Sequence, residues 1–166
     1  MDLAGPDPSA GVFLYGARRL LLVLHAGGSI VLIGAATHHA LQMRHYLRGR
    51  FGAARLEKIY AKVISVAYLL TFALGALLYP TYRVRVRGFY LDRHAPFFAG
   101  LFDVKEVYAS LALLAAIALG ALAFTLRPTE ERHLVPVYAA MSFLVCAVVW
   151  LNVIAGLLIV SVRGPG

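Results

Sequence analysis

The polar positions of this chain fall in blocks, and between the blocks lie four long apolar stretches. The first covers residues 20–41. The second runs over 63–79 and stops at Pro80, which cannot continue a helix. The third covers 107–126, closed by Arg127-Pro128, and the fourth 134–162, long enough to tilt or protrude. Each reaches or approaches the roughly 20 residues that a helix needs to cross about 30 Å of hydrocarbon. No barrel-like alternation is present, and a backbone in lipid must satisfy its own hydrogen bonds, so all four stretches predict helices. The expected fold class is an all-α integral membrane protein, one four-transmembrane-helix bundle over residues 1–166.

The stretches carry helix-packing signals. Ala112, Ala116 and Gly120 form a small-xxx-small ridge on the third, which allows close helix approach. Gly75 reads the same way on the second. Asn152 and Gly156 make a polar-small pair on the fourth, with Asn152 expected to hydrogen-bond across helices.

The connections differ in character. Loop one, residues 42–62, is polybasic, with Arg44, Arg48, Arg50, Arg55, Lys58 and Lys62. Loop two, residues 80–106, is the longest. Its run Tyr82-Arg83-Val84-Arg85-Val86-Arg87 alternates and predicts an extended segment with three arginines on one side. An aromatic, interface-like stretch follows in Phe89, Tyr90, Phe97, Phe98 and Phe102. Loop three is short and holds Arg127, Glu130, Glu131, Arg132 and His133.

Composition agrees with the pattern. The chain is 61% hydrophobic and only 14% charged, with mean hydropathy +0.77, where a soluble domain is about half apolar and a quarter charged. Sixteen Lys plus Arg against eight Asp plus Glu give a formal charge of +8. The basic residues flank the apolar spans, so anionic lipid head groups are the expected partner and nucleic acid is not. Eight of the sixteen belong to the side of the N-tail, loop two and the C-terminus, and eight to loops one and three. The positive-inside comparison therefore ties. The dense charge of loop one and the acidic tail favour loop one in the cytoplasm and both termini outside, in a bacterial-type inner or cell membrane. The tail, residues 1–10, has no basic residue and does not read as a secretory signal, so the first span is expected to stay as an anchor. Cys146 is the only cysteine, which excludes an intrachain disulfide and a CxxCH haem attachment. Any haem would be non-covalent.

The candidate chemistry lies in the first span, which carries His25, His38 and His39. Ionisable side chains inside membrane helices usually face a bundle interior, a cavity or a cofactor. His25 and His39 are fourteen residues apart, close to four turns, and share a face near opposite ends of the span. Gly28, Ser29, Leu32 and Ala36 lie on that stripe, and all but Leu32 are small, which is the clearance a flat macrocycle needs. His38 points about 140° away. The bland alternative is helix–helix hydrogen bonding or interfacial anchoring. His94 is expected on the membrane side of His25, and His133 on that of His38 and His39. This makes His25–His94 and His39–His133 possible axial pairs, and a symmetric dimer a third source of ligands. Neutral imidazole ligates iron, copper or zinc, and haem iron commonly takes axial histidine. Arg18, Arg83, Arg85 and Arg87 on one side, with Arg44, Arg48 and Arg132 on the other, could meet haem propionates or simply lipid phosphates.

The His-x13-His pair with intervening glycine resembles the haem-ligating helices of the cytochrome b of quinol–cytochrome c reductases, in which two histidines on one helix serve two stacked haems. The resemblance covers one helix of about 22 residues, and the other three spans have no internal histidine. It implies haem b held through His25 and His39, with His133 or His94 completing coordination, in an electron-transfer protein or a subunit of an oxidoreductase complex with a redox partner. A quinone or a divalent metal could take the place of haem.

Asp103 and Glu106, with Lys105 between them, open the third span. First-turn carboxylates suit the positive end of a helix. They could also converge with His25 and His94, expected near the same membrane face, as nitrogen and oxygen ligands of a metal, with His39 and His133 as further candidate metal ligands, or serve a proton site. Three classes therefore follow: a small b-type electron-transfer protein, a cofactor-free membrane subunit or scaffold that docks a partner or lipid, and a metal or proton permease. No nucleophile elbow, P-loop or dinucleotide fingerprint appears, so hydrolysis and nucleotide chemistry are not expected.

Overall fold

The computed structural model describes residues 11–163, so the reading of the tail as no signal lies outside the described residues. After a 3-10 turn at Tyr15–Ala17, α1 spans Arg18–Tyr46 and α2 spans Ala54–Tyr82. A π-helical segment, Arg83–Leu91, and a short α3, Asp92–His94, lead into α4, Pro96–Thr125. A 3-10 turn at Arg132–Leu134 opens α5, Val135–Val162. Among the described residues there is no strand. The fold is an all-α four-helix bundle, and four helical segments are long and apolar enough to cross a membrane. The chain is a multi-pass membrane protein.

The helices form a square in which α1 packs on α2 and α5, and α4 packs on α2 and α5. One end, the loop end, carries the α1–α2 turn and the α4–α5 turn. The other, the termini end, carries the start of α1, the α2–α4 connection and the end of α5. Inward faces follow helical spacing. α1 buries Leu32, Ala36, His39, Met43 and Tyr46, and α2 buries Glu57, Ala61, Ile64, Tyr68 and Thr71. Steps of three and four keep each set on one stripe. Outward residues such as Ile30, Leu114, Phe124 and Leu157 are large and exposed, which is the surface that lipid covers.

The small ridge of α4 does what its spacing implied. Ala112, Ala116 and Gly120 are all buried, and Ser65 of α2 lies against them with Oγ 2.5 Å from Ala116 O. A Cβ at Gly120 would overlap the Ser65 side chain. The α1–α2 turn closes on Gly49, at φ 73°, where the backbone N–H groups of Gly49 and Arg50 return to Tyr46 O and His45 O. Glycine takes this left-handed position without a Cβ penalty. The tight turn returns α2 toward α1 and sets Glu57 beside His39.

Three expectations are corrected. Pro80 does not stop α2, which continues to Tyr82 and on into the π segment. Pro80 removes one N–H from the ladder, and the helix widens three residues later. The run at 82–87 is therefore helical and not extended. Val86 and Leu91 are its two buried residues, five apart, the spacing of a π turn. They pack with Ala99 and Ile159 in a small apolar cluster that covers the termini end. Asn152 donates to Val148 O of its own helix at 2.9 Å, and not across to a neighbour.

Candidate functional site: two polar clusters at opposite ends

At the loop end, five polar side chains from three helices meet inside the bundle. Glu57 Oε1 accepts from His39 Nε2 at 2.9 Å and from Tyr138 OH. Glu57 Oε2 accepts from Tyr46 OH at 3.2 Å. The Ser142 hydroxyl lies 2.6 Å from His39 Nδ1. With the ring N–H placed on Nε2, Ser142 donates to Nδ1, an arrangement assigned from the partners available. His39 is 0% exposed and Glu57 1%. Tyr138 stands edge-on to His39 at 5.6 Å between centroids, and Phe51 meets Tyr46 edge-on at 5.2 Å. None of these five residues contributes a buried polar atom without a partner. Burying a carboxylate is costly unless it is paired and hydrogen-bonded, and here three donors serve one carboxylate. The cluster ties α1, α2 and α5 together where Glu57 begins α2 and Tyr138 begins α5.

The termini end is built differently. His25 Nδ1 donates to Thr71 O at 2.9 Å, and Gly75 lets the ring sit close, since a Cβ there would stand 3.2 Å from Cε1. The second ring nitrogen of His25 has no hydrogen-bond partner among the described residues. Arg87 of the π segment grips Asp103 of α4 with both terminal nitrogens, at 2.5 and 3.1 Å, and lies 3.4 Å from Asp92. That fork holds the π segment on α4. Lys105 reaches past Gly156 of α5 and places its ammonium 5.4 Å from the Phe102 ring. Phe102 stacks on Tyr82 at 3.8 Å.

The residues expected to hold a cofactor are thus divided. His39 gives both ring nitrogens to Ser142 and Glu57. Gly28 packs on Thr71, where a Cβ would stand 2.6 Å from Oγ1, and Leu32 and Ala36 are buried in the main core. Helix packing fills the stripe between the histidines, so these residues do not fit a haem lying between His25 and His39. Ser29 donates to His25 O of its own helix. His133 is exposed at the loop end, and His94 is exposed at the termini end, stacked on Tyr90 at 5.0 Å. His38 is exposed and stacks on Tyr60, on another face from His39 as the helix geometry required. Arg44 and Arg83 are exposed at opposite ends. Among the described residues no three His, Cys, Asp or Glu side chains gather as a metal site. His25, Asp103 and Glu106 lie at one end and His39 and His133 at the other. His25, His38 and His94 each give Nδ1–H to a backbone carbonyl and leave Nε2 available, and of the three only His25 is not exposed.

Sequence reasoning missed Glu57, Tyr46, Tyr138, Ser142 and Thr71. A signal for Glu57 was present: it is the one acid among the cations of loop one and lies in helical register with Ala61, Ile64 and Tyr68. No family model matches the chain, and no curated protein or solved structure is significantly similar to it. What the structure defines is the class, a four-helix membrane bundle with one closed and one open polar cluster.

Proposed function

We propose that this chain is an accessory subunit of a membrane assembly, anchored in a bacterial-type inner or cell membrane with its loop end on anionic lipid. The observation that supports this reading is the enclosure of His39, the most deeply buried histidine of the first span, whose two ring nitrogens both serve the fold. Arg44, Arg48, Arg50, Arg55 and Lys62 are exposed around the same end, while Glu57, the acid among them, is turned inward. Such a face attracts anionic head groups, at about 1 kcal/mol for each cation near the surface.

A second reading rests on His25. Its carbonyl-bonded Nδ1 and available Nε2 suit an axial ligand of a b-type haem in an electron-transfer subunit, with the other ligand from a second copy or a redox partner subunit. The haem would supply one-electron chemistry. The chain's part would be to orient the imidazole through Thr71 O.

Absorbance of the detergent-purified chain, oxidised and then dithionite-reduced, tests both. The accessory reading expects no Soret band, and greater thermal stability in phosphatidylglycerol than in phosphatidylcholine nanodiscs, a difference that shrinks with salt. A low-spin haem spectrum lost in His25→Ala and kept in His39→Gln would select the second reading. A spectrum lost in His39→Gln would overturn both.

A further inference from the structure

Buried polar atoms without partners point to a ligand at the termini end. Among the described residues four side-chain atoms are buried without a hydrogen bond: Arg18 Nε, Thr71 Oγ1, Tyr82 OH and Gln42 Oε1. The first three belong to the termini half, and each can donate a hydrogen. Lys105 is half-buried and its ammonium is not one of these enclosed atoms, but it too has no acceptor oxygen within hydrogen-bond distance among the described residues. The loop end shows the opposite, with every donor of its cluster spent on Glu57 or His39.

Lys105 does not simply reach for the membrane surface. It lies nine residues into α4, about 14 Å along the axis from Pro96. Phe102 covers it on the side of the termini, stacked against Tyr82 and, at 6.2 Å, Tyr79. Beyond them lies the apolar cluster of Val86, Leu91, Ala99 and Ile159. Neither nearby carboxylate is hydrogen-bonded to it among the described residues. Asp103 is engaged by Arg87, and Glu106, next in sequence, projects about 100° away and forms no ion pair with it. An ammonium inside a membrane bundle marks a functional position, and unpartnered buried donors call for an acceptor.

We propose that the termini half of the bundle binds the oxyanion of a ligand, a carboxylate or a phosphate, with Lys105 supplying the charge and Tyr82 a hydroxyl. The aromatic cover of Phe102, Tyr79 and Tyr82 closes the site toward the end of the bundle, so an amphiphile entering sideways from the bilayer is the source favoured over a free ion. The site is independent of the cationic face at the loop end.

The test is thermal melting of the full chain in an uncharged detergent, titrated with oleate, oleyl alcohol, phosphatidylglycerol or inorganic phosphate. Oleate or phosphatidylglycerol should raise the melting temperature saturably, and oleyl alcohol, which has the chain without the oxyanion, should not. Lys105→Met should weaken the apparent affinity at least tenfold, and Tyr82→Phe severalfold, while Arg48→Gln/Arg55→Gln at the loop end should lower only the salt-sensitive part of the phosphatidylglycerol response. A saturable shift with inorganic phosphate as well would assign the site to the free ion. No shift with any oxyanion would overturn the proposal, and so would a shift that both Lys105→Met and Tyr82→Phe retain. If Lys105→Met fails to fold, Lys105→Gln and Tyr82→Phe carry the comparison.

Discussion

The two ends of this bundle handle buried polarity in opposite ways. At the loop end, Glu57 is met by His39, Tyr46 and Tyr138, and His39 is completed by Ser142. At the termini end, His25 makes one bond to a carbonyl, Lys105 faces an aromatic ring, and Tyr82 OH bonds nothing among the described residues. Both ends carry a histidine from the same face of α1, so position on the helix does not make the difference. The partners do. A carboxylate opposite His39 turns a candidate ligand into part of the frame. A carbonyl opposite His25 leaves half the ring available. In this chain, an ionisable residue in a span is functional or structural according to what the neighbouring helix brings to it.

The substitution that would break the comparison most strongly is Glu57→Ala. It leaves two tyrosine hydroxyls and His39 without their acceptor, and loss of one partner from a buried ionic network costs about 3–5 kcal/mol. Reversible unfolding in mixed micelles measures this, and a loss below about 1 kcal/mol would mean that the network is not closed. Next comes Gly120→Val, which forces a side chain against Ser65 in the α2–α4 seam. Overpacking of this kind costs about 1–3 kcal/mol, so the same unfolding assay separates polar pinning from simple packing. Tyr46→Phe removes one donor and leaves the carboxylate two others, for a loss of about 1 kcal/mol. Lys105→Met sharpens the contrast from the other side. No oxygen among the described residues loses a partner, so stability in the absence of added lipid should change by no more than about 0.5 kcal/mol, or rise.

Much of the frame was legible in the sequence. Four apolar stretches gave four helices, the Ala112-Ala116-Gly120 spacing gave the close α2–α4 seam, and 100° per residue separated His38 from His39. Loop two was misread because alternation in Tyr82–Arg87 mimics a strand, and because Pro80 usually ends a helix in water. In this bundle the Arg87–Asp103 fork and the inward pair Val86 and Leu91 hold the chain in a π turn instead. The identity of His39's partners was not legible as a pair. Glu57 is eighteen residues away and Ser142 a hundred and three, and only the turn at Gly49 and the α1–α5 packing bring them together. Asn152 was expected to reach across, yet it caps a carbonyl one turn back on its own helix, a local option that polar side chains take when no partner faces them.

The most direct test of the closed end is a double-mutant cycle on His39→Leu and Glu57→Leu, read by reversible unfolding of the full chain in mixed micelles. The structure predicts that the double variant loses far less than the sum of the two single variants, with a coupling of about 1–3 kcal/mol, because each single change strands the other buried group. Additive losses, within about 0.5 kcal/mol, would contradict it and return His39 to the pool of free ligands.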